Sequence, residues 1–349
     1  MSNLAERLMK SGAIKHTTLL SDSTVFNVKD MVSTDIPIIN IALSGAVTGG
    51  LSSGLTFLAG ESRNFKSLLG LIMVKAYLDK HEDGVCLFYD SEFGTTPEYI
   101  KTLNIDADRV IHAPVEHIEQ LKFDISKRLE TIERGDRVII FIDSVGNLAS
   151  KKEVEDALDG KAVADMSRAK AMKSLWRIIT PQLTSKDIPC VAINHTYKTM
   201  ELYAKNVMSG GTGGMYSANQ VFIITKAQEK DGKDLKGWNF TINIEKSRFV
   251  RDKSKFPFLV TWEHGLHKWS GLLEIGEELG YIVKPKVGWY QSVDVETGEV
   301  LTDKMMRAKE ILDSDEVWEK LLNDTNFPAA ILKRYSVTSH GLLEGDKDD

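Results

Sequence analysis

Short apolar runs recur through the middle of the chain: LTFLAG, VCLFYD, RVIHAP, RVIIFIDS, PCVAINH, QVFIIT and FTINIE. They are apolar at successive positions and rich in β-branched and aromatic residues, which suits strands covered on both faces. Helix-patterned segments alternate with them, among them SLLGLIMVKAYLDKH, EQLKFDISKRLETIERG and MSRAKAMKSLWRIITPQL. That alternation restricts the chain to an α/β fold with a mostly parallel central sheet and crossover helices. FTINIEKS and KFPFLVTW alternate more strictly and are expected to extend the sheet in the antiparallel sense.

The runs define a core over residues 36–268. Residues 1–35 hold an amphipathic helix pattern (Leu4, Leu8, Met9) and the polar STVFNVKD, with little of their own to bury, so they need a partner surface. From about 269 to 349 the pattern changes to SGLLEIGEELGYIVKPKVGWY, then the helical MMRAKEILDSDEVWEKLLND and PAAILKRYS, a small α/β domain ending in the acidic EGDKDD, a tail expected to remain unfolded. In 349 residues no run reaches the roughly 18 apolar residues that span a bilayer, and MSNLAERLMK lacks a signal-type apolar stretch, so a cytoplasmic location is expected. Cys86 and Cys190 lie inside apolar runs without C-x-x-C spacing and read as buried reduced thiols. A net charge of -6 does not point to nucleic acid, but it averages over a surface that can still hold a local basic channel.

Chemistry concentrates at the ends of the apolar runs. AGESRNFKS, residues 59–67, follows a strand pattern and precedes a helix pattern, the context of a phosphate-binding loop. Gly60, Glu61, Ser62, Arg63, Asn64, Phe65, Lys66 and Ser67 would form it, with backbone amides around the phosphates, Lys66 neutralising them and Ser67 on Mg²⁺. Phe65 stands where the pattern G-x-x-x-x-G-K-[ST] has its second glycine, and must take backbone angles usually left to glycine. RVIIFIDS ends in Asp143, the position of a carboxylate that holds magnesium through water. VCLFYDSEFG places Asp90 and Glu92 past another strand; Glu92 is the better general base, and Tyr99 could stack on a nucleotide base.

PCVAINH ends in Asn194 and His195, polar groups that could sense the γ phosphate. The long glycine-rich stretch after it, with Tyr197, Lys198, Tyr203, Lys205 and Met208, reads equally as a single-strand nucleic-acid contact or as a lid over the nucleotide. KSRFVRDKSK gathers Lys246, Arg248, Arg251, Lys253 and Lys255, either a solvated sheet edge or cations supplied to a phosphate. His264 and His267 in HGLHKW lack an accompanying metal-ligand pattern.

The order of these motifs resembles the RecA-type recombinases, and in particular their T4-like bacteriophage branch. The resemblance runs from INIALSGAVTGGLSSGLTFLAGESRNFKS through FYDSEFG, IFIDSVGNLASKKEVEDAL and AINHTY to SGGTGGMYSA, IEKSR and SGLLEIGEELGYIVKPKVGWY. It implies a RecA-like P-loop ATPase core, an N-terminal oligomerisation segment (1–35) docking on the next subunit, and a C-terminal duplex-capturing domain. The implied activity is ATP-dependent strand exchange by a helical filament on single-stranded DNA. ATP and Mg²⁺ would be the cofactors, with AMP as a product beyond ADP left open. By matching motif, Lys66 and Ser67 hold phosphate and magnesium, Asp143 is the Walker B acid, Glu92 the base, Tyr99 the adenine stack and His195 the switch. Lys246 and Arg248 would reach the nucleotide of the adjacent protomer. Residues 151–167 and 197–217 would be the DNA loops, the second carrying Lys198, Lys205, Gly210 and Gly211. Homologous duplex DNA and phage single-strand-binding and mediator proteins are the implied partners. A hexameric helicase or loader, or an ATP-switched scaffold on the same fold, are the alternatives the motifs leave open.

Overall fold

The computed structural model describes residues 3–14, 17–23, 30–160, 167–200, 204, 206–231 and 234–339. The chain divides into two compact units, Met1–Asp30 and Met31–Asp349. In the first, helix α1 (Asn3–Ser11) leaves Leu4 and Leu8 58% and 62% exposed, an amphipathic face without cover inside its own unit. Most of STVFNVKD, residues 24–29, lies outside the described residues.

The second unit contains α2 (Pro37–Ser44), β1 (Gly54–Gly60), α3 (Lys66–Lys80), β2 (Val85–Asp90), α4 (Pro97–Thr102), β3 (Val110–Pro114), α5 (Ile118–Thr131), β4 (Val138–Asp143), α6 (Lys151–Leu158) and α7 (Ser167–Ser185). It continues with β5 (Pro189–Lys198), β6 (Asn206–Met208), α8 (Thr212–Ser217), β7 (Gln220–Asp231), β8 (Asp234–Ser247), β9 (Lys255–Thr261) and β10 (Gly265–Leu266). Last come α9 (Leu272–Leu279), the hairpin β11 (Ile282–Lys286) and β12 (Trp289–Ser292), then α10 (Ala308–Leu312), α11 (Asp315–Asp324) and α12 (Phe327–Tyr335).

Strands β1 to β10 form one sheet in the order β10-β9-β8-β7-β1-β5-β4-β2-β3, with β6 attached to β5. From β7 to β3 the neighbours are parallel, while β8, β9 and β10 add antiparallel strands, as the alternation in FTINIEKS and KFPFLVTW implies. Alternate residues of β1 feed two cores: Leu58 packs with α2 and α3, while Leu55 and Phe57 pack with α5 and α7. There Phe57 meets Trp176 edge to face at 5.1 Å, a geometry that adds about 1 kcal/mol to the area buried. Trp318, Phe327 and Tyr335 of the last helices share the first core with Phe256.

One element differs from the sequence reading and another is not read from it. RVIHAP is a strand, but as β3 it ends the sheet order and leaves Ile111 44% exposed, so it is covered less than its apolarity implies. PIINIALS, to which the sequence reading assigns no element, is a wholly buried helix, with Pro37 starting it and Gly45, at φ 79°, closing it. Its apolar residues lie on every side, so no helical period is visible. Both cysteines are buried and unpaired, and no described helix is long and apolar enough to cross a membrane.

Candidate nucleotide site and its nucleic-acid flank

Strand register sets the site. β1 pairs with β5 so that Gly60 lies opposite His195, and β4 pairs with β2 so that Asp143 lies opposite Asp90. Loops leaving these strands therefore meet at the carboxyl edge of the sheet, where open α/β sheets bind ligands.

The phosphate loop leads from β1 into α3, whose first amides carry the partial positive charge of a helix N-terminus. Phe65 takes the left-handed conformation its position demands, at φ 62° and ψ 11°, and Arg63 is also left-handed at φ 60°. Packing holds the strained residue: the Phe65 ring lies 5.1 Å from Phe240 and 5.6 Å from Phe258. Asn64 Nδ2 donates to Ile224 O at 2.8 Å, and Lys226 Nζ donates to Arg63 O at 3.1 Å while lying over the Trp238 ring. Lys66 is buried, donates to Glu61 O at 2.7 Å, and has its pKa lowered by burial, against the pull of Glu92 and Asp143. Ser62, Lys66, Ser67, Glu92, Tyr99 and His195 line one open cleft of about 260 Å³.

Asp143 is buried, and its Oδ1 has no hydrogen-bond partner. Burial pushes its pKa up to about 6, opposed by a hydrogen bond from Ser67. An orphaned carboxylate oxygen beside a hydroxyl fits a magnesium ion that takes few protein ligands and completes its shell with water and phosphate. Among the described residues no cluster of three or more His, Cys, Asp or Glu could hold a metal by itself, and the His264–His267 pair belongs to none.

Asp90 is spent on structure: its Oδ1 accepts from the amides of Glu92 and Phe93 at 3.0 and 2.8 Å, and His112 Nε2 lies 3.2 Å from Oδ2. Glu92 is left to the cleft. Its Oε1 accepts from Ser144 Oγ and Asn147 Nδ2, both at 2.8 Å, and lies 3.2 Å from His195 Nε2. Ser144 and Asn147 escape sequence reasoning because nothing in DSVGNL marks them. Gly146 is required beside them, since a Cβ there would stand 2.4 Å from His195 Cδ2.

The described residues after His195 hold more regular structure than the glycine content of the stretch implies. β5 continues to Lys198 and pairs with β6, placing Thr196 opposite Met208; Met208 is buried in the core and unavailable for stacking. Ser209 N donates to His195 O at 2.9 Å, and Gly210 and Gly211 turn the chain at φ 88° and 79° into α8. Lys198 Nζ lies 3.5 Å from Glu61 Oε1, joining this hairpin to the phosphate loop. Tyr203 and Lys205 lie outside the described residues, as do 161–166 of the first candidate loop and the acidic tail. The described part of that loop is largely helix α6, opened by a capping box of Ser150 and Glu153. Lys246 and Arg248 do not line the cleft. Lys246 donates to Met215 O and Tyr216 O at 2.8 and 3.0 Å, and burial, then Arg248, lowers its pKa. Tyr99, by contrast, is on the cleft, and burial raises its pKa.

Fold and site together define a phosphate-loop protein of RecA type. The RecA N-terminal domain model matches residues 4–267, and the model described as Bacteriophage T4, Recombination and repair protein, C-terminal domain, matches 269–331. The chain is 52% identical to "Recombination and repair protein" of Enterobacteria phage T4, covering 100% of this chain and 90% of the relative. It is 24% identical to "Protein RecA" of Cutibacterium acnes, covering 82% of each, and 26% identical to that of Streptomyces venezuelae over 75% of this chain and 67% of the relative. The chain belongs to the RecA family, within its phage T4 recombination-and-repair (UvsX) branch.

Proposed function

We propose that this protein is an ATP-dependent recombinase that forms helical filaments on single-stranded DNA, pairs it with homologous duplex and exchanges strands in recombination, repair and recombination-dependent replication. Residues 36–268 are the motor, 1–35 dock on the next protomer and 269–349 capture duplex. The observation carrying this reading is the contact between Glu92 and His195, because it ties the base at the cleft to the hairpin offered to DNA.

In the proposed reaction the phosphates lie along the amides from Gly60 to Ser67, with Lys66 against their charge and Tyr99 against the adenine. Ser67 and Asp143 would hold magnesium, which would supply neutralisation of phosphate charge. Glu92 takes the proton of the water attacking the γ phosphorus, and ADP leaves; resemblance to the phage branch points to AMP as a further product. His195 reports the state of the cleft to 197–217, where Lys198, Lys205, Gly210 and Gly211 contact the strand. Lys246 and Arg248 serve the adjacent protomer's nucleotide. Phage single-strand-binding and mediator proteins are the expected partners, in the host cytoplasm.

The test is strand exchange between circular single-stranded and linear duplex DNA. Joint molecules should form with ATP and be lost in Lys66→Ala. An ATPase indifferent to single-stranded DNA, with no filaments by electron microscopy, would overturn the reading.

A further inference from the structure

Beside the amide that holds Glu92, one side chain gathers the carbonyls of a whole turn. Arg168 donates through Nε to Leu148 O at 2.7 Å and through Nη2 to Gly146 O at 2.8 Å and Val145 O at 3.3 Å. Carbonyls of a turn leaving a strand lack ladder partners, and water usually satisfies them. Here a planar guanidinium with donors in a fixed fork does so, and fixes the turn's shape as water would not. Asn147 lies inside that turn, and its Nδ2 donates to Glu92 Oε1 at 2.8 Å.

Arg168 also marks one end of segment 151–167. It is the second residue of α7, and Ser167 beside it donates through Oγ to Ser150 Oγ, the cap of α6, at 2.7 Å. Both ends of the segment thus close next to the turn that holds the base. The Ser144, Asn147 and His195 contacts of Glu92 all engage Oε1, so Oε1 is the anchored oxygen.

We propose that Arg168 and Asn147 are positioning residues: Arg168 shapes the 145–148 turn, and Asn147 thereby fixes Glu92. The inference rests on the reading of Glu92 as base.

The experiment measures ATP turnover of the full chain with and without single-stranded DNA, with KM for ATP and DNA affinity alongside. Asn147→Ala and Arg168→Ala should lower DNA-stimulated kcat about tenfold, the scale of one hydrogen bond to a charged group, with KM and DNA affinity within about twofold. Arg168→Lys, which keeps the charge but not the fork, should recover only part. Adding Asn147→Ala to Glu92→Gln should cost nothing further, because the amide acts only through the carboxylate. If Arg168→Ala does not fold, Asn147→Ala and Arg168→Lys carry the test. Wild-type kcat in Asn147→Ala while Glu92→Gln is inactive would overturn the relay alone. Full turnover in Glu92→Gln would overturn the assignment of the base, and the relay with it.

Discussion

Phe65, left-handed at φ 62°, packs its ring 5.1 Å from Phe240. The residue that breaks the phosphate-loop pattern is thus strained in its backbone and anchored by its side chain. Glycine at 65 would relieve about 1–2 kcal/mol of strain and forfeit the aromatic packing, whereas alanine would lose the packing and keep the strain. Thermal denaturation should rank wild type above Phe65→Gly and Phe65→Gly above Phe65→Ala. ATP turnover should survive in Phe65→Gly, since the amides, Lys66 and Ser67 remain. Phe65→Ala as stable as Phe65→Gly would remove the left-handed strain from the explanation.

Asp143 gives the nucleotide-free protein a pH dependence of definite sign. Its pKa in the folded chain is about 6, above the ordinary 3.8, chiefly because burial disfavours the carboxylate. The contribution to stability is full below about pH 4 and is lost as pH rises through about 6, costing on the order of 3 kcal/mol above that. Asp143→Asn cannot ionise, so without nucleotide its melting temperature should gain on wild type from pH 4 to 7 and then hold its lead. With ATP and magnesium at pH 7.5 the wild type should regain ground on Asp143→Asn, because it gains the larger binding energy. A difference between the two proteins that is independent of pH would contradict the assignment.

The parts legible in the sequence are those fixed by neighbours along the chain. The phosphate loop needs only a strand before it and a helix after it, and the runs ending in Asp143 and His195 show their own strand character. Illegible parts depend on strand order. Asn147 reaches Glu92 only because β4 pairs with β2, and Lys226 reaches Arg63 only because β7 lies beside β1. The 197–217 stretch reads as open loop because its pairing partner is the continuation of β5, whose length no local signal announces.

Lys198 forms an exposed pair with Glu61 across 3.5 Å, an arrangement that contributes about 0–1 kcal/mol and yields easily to a better anion. If a DNA phosphate replaces Glu61, Lys198→Ala should weaken single-strand binding for every sequence alike. It should also flatten the plot of log affinity against log salt by about 0.7, the single-strand value for one phosphate contact. Fluorescence anisotropy over a salt series measures both. An unchanged slope would assign Lys198 to the phosphate loop alone.

His195 is held at both ends, its carbonyl by the Ser209 amide at 2.9 Å and its ring 3.2 Å from Glu92. Removing the ring should leave ATP binding in place and lower DNA-stimulated turnover in His195→Ala by about tenfold, while His195→Gln, which still hydrogen-bonds, should retain most of it. Gly146→Ala offers an independent check, because the added Cβ would stand 2.4 Å from His195 Cδ2 and displace the ring without altering its chemistry. Steady-state ATPase assays with and without single-stranded DNA should place Gly146→Ala beside His195→Ala. A Gly146→Ala enzyme with full stimulation would mean that the ring's position is not what connects the proposed DNA hairpin to the proposed base.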